Sequence, residues 1–178
     1  MRSNGAQNRR HSRWSVAVLG AAIIALCPLN AKGQNSVGGH VGFVLPLVTH
    51  AGGNTTSIAD NFSMGFPMGV TFHSKGRMAF DMEFVPNFQN SPRQVNLTFH
   101  PGLVWGIGHR FGVGMRAAFD VNSSQMGFTP LVNKSWPIEG SFFKAYFVEA
   151  DLPVRFNRPA GGPNTNPVTF AMHFGLGF

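Results

Sequence analysis

In 178 residues the chain carries 18 Phe and 22 Gly, but only 12% of its side chains are charged. An ordinary soluble surface draws on roughly 25%. The length suits one domain, and no stretch reaches the roughly 18 consecutive apolar residues of a membrane-spanning helix. Few charges, many aromatics and no long apolar run together point to strands with one lipid-facing side.

Residues 1–33 read as a secretory signal. Arg2, Arg9, Arg10 and Arg13 make a basic start, residues 16–27 an apolar stretch too short to span, and Pro28 ends it. Ala31-Lys32-Gly33 offers small residues where a signal peptidase reads, so cleavage is expected after Gly33, with Ala31 the alternative. Leu26 and Pro28 flank Cys27 unfavourably for lipid attachment. Cys27 therefore leaves with the signal, and the mature chain has neither thiol chemistry nor a disulfide. The same cut removes four arginines and Lys32. Nine basic side chains then face seven acids, and the balance falls from +7 to +2. The pI of 10.8 thus describes the precursor, and no nucleic-acid partner is expected.

Period-two alternation then runs through residues 34–178, punctuated by turns, which is the strand signal. Val37, Val41, Phe43, Leu45 and Leu47 oppose Gly38, His40, Gly42 and Val44. Residues 62–72 read as one strand, with Phe62, Met64, Phe66, Met68, Val70 and Phe72 against Ser63, Gly65, Pro67, Gly69 and Thr71. A polar turn at 74–77 precedes Met78, Phe80, Met82, Phe84 and Phe88, set against Ala79, Asp81, Glu83 and Asn87. Val95, Leu97, Phe99, Leu103 and Trp105 follow, and after a turn at 108–110 come Phe111, Val113, Met115, Ala117, Phe119 and Val121.

Residues 125–138 have unclear parity because of Pro130, Lys134 and Pro137. They are counted as a strand because a chain that starts and finishes on one side of a membrane needs an even number of crossings. Residues 142–156 put Glu149, Asp151 and Arg155 on one face and Val148, Leu152, Val154 and Phe156 on the other. Large residues on both faces of the first half predict a bulge there. Outer loops are expected at 49–61, 89–93, 122–124 and 157–166. The sequons at Asn54 and Asn96 are incidental in a bacterial export context.

The result is eight strands, and volume decides which face points inward. Eight strands enclose an interior just wide enough for side chains, so a Phe or Met at every second position would overfill it. Gly, Ala, Ser and Thr belong on the crowded inner side. In hydrocarbon every backbone polar group must be paired, so strands can span only as a closed barrel. The expected fold is an all-β, eight-stranded antiparallel up-and-down transmembrane barrel.

The last strand places Phe170, Met172, Phe174, Leu176 and Phe178 at alternate positions. It resembles the C-terminal insertion signal of bacterial outer-membrane barrels, which the assembly machinery recognises. With the signal peptide and short loops, the chain is similar to the small outer-membrane barrels of the OmpX, OmpW and OmpA-membrane-domain type. The resemblance implies an outer-membrane location in a Gram-negative envelope, contact with outer-membrane lipids, and a monomer.

The expected lumen face gathers His40, His73, Asp81, Glu83, His100, Arg116, Asp120, Glu149, Asp151, Arg155 and His173. Buried charges must be paired to be tolerated, so these residues read as a structural polar network that plugs the barrel. His40, His73 and His173 with Asp81 outline a low-lumen group of a kind that suits zinc, nickel or copper. They lack a short-range ligand motif, so neither metal nor cofactor is assigned. No catalytic residues are assigned either: His73-Ser74 does not match the His-x-Ser order of the outer-membrane deacylases. Glycine pairs also lack phosphate-loop spacing. Trp105 and Trp136 near strand ends fit interfacial girdles. The expected role is structural or surface-interacting, without an open pore. Small-solute transport through a partly plugged barrel and lipid modification are the alternatives.

Overall fold

The computed structural model describes residues 34–121, 123, 125–157 and 165–178. The expected signal at 1–33 and parts of two loops lie outside them. Eleven strand segments follow in chain order: β1 (Gln34–Ala51), β2 (Asn54–Ser57), β3 (Ser63–Gly65), β4 (Met68–Ser74), β5 (Met78–Gln89), β6 (Gln94–Gly108), β7 (Phe111–Asp120), β8 (Met126–Pro137), β9 (Ala145–Asp151), β10 (Val154–Phe156) and β11 (Val168–Gly177).

They reduce to eight staves. β2 only folds back on the top of β1, β3 and β4 form one stave between β1 and β5, and β9 and β10 form another between β8 and β11. Every pairing is antiparallel. The ring closes where β1 meets β11, with His40 opposite Gly177 and His50 opposite Val168. The protein is therefore an all-β, closed, eight-stranded antiparallel barrel.

Both interruptions fall at proline, which has no N–H to give a ladder. The expected single strand at 62–72 breaks at Phe66-Pro67. The ring stays stitched there because Phe66 N–H donates to Pro86 O and Gly42 N–H to Pro67 O at 2.9 and 3.0 Å. At the other break, Leu152 N–H reaches Pro130 O at 3.0 Å and Thr169 N–H reaches Pro153 O at 2.9 Å. The irregularity foreseen in the first half of 142–156 thus lies later, at 152–153, and leaves the parity of Val148 and Val154 intact. A register shift that alternation did not reveal interrupts β1 between Pro46 and Val48.

Residues 49–61 are not simply a loop. Gly52 and Gly53 both have positive φ, 56° and 82°, the geometry of a tight primed turn. His50 and Thr55 hydrogen-bond across the resulting hairpin at 2.9 Å. Beyond it, Ser57 N–H and Oγ–H both donate to Asp60 Oδ2 at 2.7 Å, holding that carboxyl below the usual carboxylate range. Residues 126–137 do form β8, with Met126, Phe128 and Val132 outward and Thr129 and Leu131 inward. The even strand count recovered what the local pattern obscured.

Burial is inverted relative to a water-soluble core. Among the described residues the buried apolar side chains are Pro67, Val85, Ala118, Leu131 and Ala171, all but Leu131 and Val85 small or cyclic, whereas the large polar His40, Asp81, Glu83, His100, Arg116, Glu149, Asp151 and His173 are buried. The outer wall is apolar along every stave, as at Phe43, Phe84, Leu103, Met115, Val132 and Phe170. Its aromatics pair across strands: Phe43 stacks on Phe174 at 5.3 Å between ring centroids, and Phe84 lies 4.9 Å from Phe99.

The β6–β7 turn carries local strain. His109 and Arg110 both have positive φ, 50° and 63°, in a two-residue connection that favours Asn-Gly. A left-handed conformation costs an L-residue about 1–2 kcal/mol. Arg110→Gly is expected to raise the stability of the refolded barrel by about 1 kcal/mol, read as a later urea midpoint; an earlier midpoint would contradict the turn assignment.

Candidate functional site

Small residues on the inner wall make room for large polar ones. Gly69 lies opposite His40, Gly102 opposite Arg116 and Gly175 opposite Phe147. A Cβ on any of these glycines would collide with its partner's side chain. The opposing strands therefore let three bulky groups cross toward the axis, and a plug forms from single side chains.

Arg116 on β7 is its centre. Its Nε donates to Asp81 Oδ2 at 3.0 Å, its Nη2 lies 3.0 Å from the same oxygen, and its Nη1 donates to Glu149 Oε1 at 2.6 Å. Glu83 and Asp151 each come within 4.0 Å of Nη1. Four carboxylates around one guanidinium are tolerable in a low-dielectric interior only if other hydrogens reach the remaining oxygens. Those hydrogens come from every side. Thr71 Oγ1 donates to Asp81 Oδ1 at 2.8 Å and Asn133 Nδ2 to Glu149 Oε2 at 3.2 Å. His40 Nε2 lies 3.0 Å from Glu83 Oε1, His100 Nδ1 3.2 Å from Glu83 Oε2, and His173 Nδ1 3.3 Å from Glu149 Oε1.

The protonation pattern at His100 follows from donor chemistry. Arg155 Nη2 is 2.9 Å from His100 Nε2, and a guanidinium can only donate. Nε2 is then the acceptor, and Nδ1 carries the hydrogen aimed at Glu83. Asp151 is the exception, since its buried Oδ1 has no hydrogen-bond partner.

Eight of the eleven residues expected on the lumen face thus meet in the buried plug. Asp120 and Arg155 sit higher, toward the loop end, where Thr98 Oγ1 donates to Asp120 Oδ1 at 2.8 Å and Arg155 Nη1 to Thr129 Oγ1 at 3.2 Å. His73 is exposed at the turn end and stays out of the cluster. It therefore does not join His40, His173 and Asp81 as the outlined low-lumen group would need.

Two other trios, His40–Asp81–Glu83 and Glu149–Asp151–His173, each bring one donor atom per residue within 4.8 Å. Arg116 already supplies the cation to Asp81 and Glu149, so no metal is assigned. Phe147 escaped notice although counting back by twos from Asp151 and Glu149 puts it inside. Its ring meets His40 and His173 edge-on, with centroids 5.8 and 4.9 Å away.

A cavity enters from each end and stops at the plug. The loop-side one measures about 380 Å³ and is walled by Thr, Asn and Gln side chains and Arg155, and it reaches the plug at Glu83, His100 and Arg116. The turn-side one measures about 320 Å³ and reaches His40, Asp81 and Glu149 past the exposed His73 and Lys144. Arg116 borders both.

No family model and no curated protein matches the chain. Among solved structures, a chain described under "De novo design of transmembrane beta-barrels" is similar to it over 80% of this chain and 98% of its own, at 11% identity and a TM-score of 0.39. The barrel assignment rests instead on the closed ladder of β1 and β11.

Removing the guanidinium leaves buried carboxylates without their cation. Arg116→Met is expected to destabilise the barrel by about 3–5 kcal/mol, with Arg116→Lys intermediate because a point charge cannot fork to two carboxylates. Urea unfolding of the refolded variants reads both. A neutral Arg116→Met would mean the carboxylates are not charged against it.

Proposed function

We propose that the chain is an integral β-barrel of the bacterial outer membrane, similar to the OmpX, OmpW and OmpA-membrane-domain type, with a structural or surface-interacting role. One observation carries the reading: the apolar residues face out and the charged ones face in. A wall of Phe, Met, Leu and Val is unfavourable in water and favourable in hydrocarbon, where a closed ring leaves no backbone group unpaired.

The aromatic ends support it. Trp105 is 53% exposed, Trp136 stacks on Tyr146 at 5.0 Å, and Lys134 Nζ lies 3.9 Å over the Phe111 ring. All lie near the turn-side end, where amphipathic rings and lysine stems suit a headgroup layer. The plug argues for a role without an open pore, because Arg116 is tied across the axis to opposite walls. In this reading export uses the expected signal at 1–33, insertion uses the strand ending at Phe178, outer-membrane lipids are the partners, and the barrel is a monomer without cofactor or catalysis.

Phe84 distinguishes lipid from water. It is exposed and near the middle of β5. On a soluble surface Phe84→Arg would shift stability within about 0.5 kcal/mol. Facing the bilayer midplane it is expected to cost about 2–4 kcal/mol. Equilibrium refolding into phospholipid vesicles measures the difference, alongside heat-modifiable gel migration, which reports closure. A silent substitution would overturn the membrane reading.

A further inference from the structure

We propose that the plug is a proton relay in which Glu83 and His40 pass protons between the two cavities while Arg116 keeps hydrated ions out; this rests on the membrane-spanning reading. The geometry is one layer thick. Glu83 borders the loop-side cavity, and His40 and Asp81 border the turn-side one. His40 Nε2 lies 3.0 Å from Glu83 Oε1, and His40 Nδ1 lies 3.7 Å from Asp81 Oδ1. A single imidazole therefore presents one nitrogen to each side.

Ionisable side chains inside a membrane-spanning structure mark proton and ion paths when water reaches them. Imidazole is suited to the task because it accepts a proton on one nitrogen and releases one from the other. In the forward direction a hydronium in the loop-side cavity gives its proton to the Glu83 carboxylate and leaves as water. Glu83 passes that proton to whichever His40 nitrogen faces it unprotonated, and the imidazolium releases the hydrogen on its other nitrogen to water on the turn side. This leaves an N–H against Glu83, as at the 3.0 Å contact of Nε2, and the ring turns over to present its unprotonated nitrogen again. One proton crosses and no electrons move.

The neighbours of His40 hold this arrangement. Glu83 and Asp81 face its nitrogens, Phe147 and His173 pack against the ring, and Gly69 leaves the space it occupies. His100 is a positioning residue. Its Nε2 is taken by Arg155, and it aims Nδ1–H at Glu83 Oε2. Arg116, tied to Asp81 and Glu149, blocks the axis to anything carrying a hydration shell.

The test uses the full chain reconstituted in phospholipid vesicles that enclose a pH-sensitive dye, with potassium flux measured separately. Proton entry is expected to exceed that of protein-free vesicles by about tenfold or more, with potassium entry at the protein-free level. Glu83→Gln and His40→Gln, the latter able to keep a hydrogen bond to Glu83, should each return proton entry to background. Glu139→Gln, in the exposed β8–β9 turn, should leave it unchanged. Heat-modifiable migration of each variant confirms closure.

Wild-type vesicles no more permeable than bare lipid would overturn the relay. So would potassium entry matching proton entry, or a closed Glu83→Gln barrel that conducts as wild type. A wild-type chain that fails to insert at all would instead defeat the membrane reading, so the two failures are distinguishable.

Discussion

The interior is organised by the fork of Arg116 onto Asp81 and Glu149. β5, β7 and β9 contribute one residue each to this contact, so a single guanidinium ties together three staves, two of which do not pair with β7. Arg116 reaches them because Gly102 leaves the neighbouring wall empty. The other polar contacts of the plug are arranged around that tie, and the cavities are what remains above and below it. The outer wall needs no such specific partner, since any large apolar residue serves there.

Side-chain volume links the two faces. A ring of eight staves holds little inside it, and here that space is taken by a few long polar side chains standing over glycines. Spending the interior on charge leaves the apolar residues nowhere but outside. Inverted burial and a closed ladder are therefore two aspects of one arrangement, and both suit a medium that neither competes for hydrogen bonds nor penalises exposed phenylalanine.

Much of this was legible in the chain. Alternation told inside from outside at nearly every position because the period of a strand is two and the two residue sets differ so much in size. It separated Glu149, Asp151 and Arg155 from Val148, Leu152 and Val154 correctly even across a break. It was silent on how the ladder is interrupted, because Pro67 and Pro153 change hydrogen bonding without changing parity. It also could not reveal the bulge at Pro46/Val48, since Leu47 and Val48 are both apolar. Membership of the plug was legible as a face but not as a height. His73 shares that face with His40, yet it lies at the mouth because β4 ends beside it. Phe147 was obscured by its size, which suggested an outward residue while the count by twos placed it inside.

The seam between β1 and β11 has a kinetic side. Its side-chain tie from Thr49 to Thr169 spans 120 positions of chain, among the longest separations a contact here can have. Until those two staves find each other, each has a bare edge able to pair with a neighbouring molecule. Contacts so remote in sequence form slowly, so newly made copies are most exposed to mutual aggregation just before the cylinder shuts.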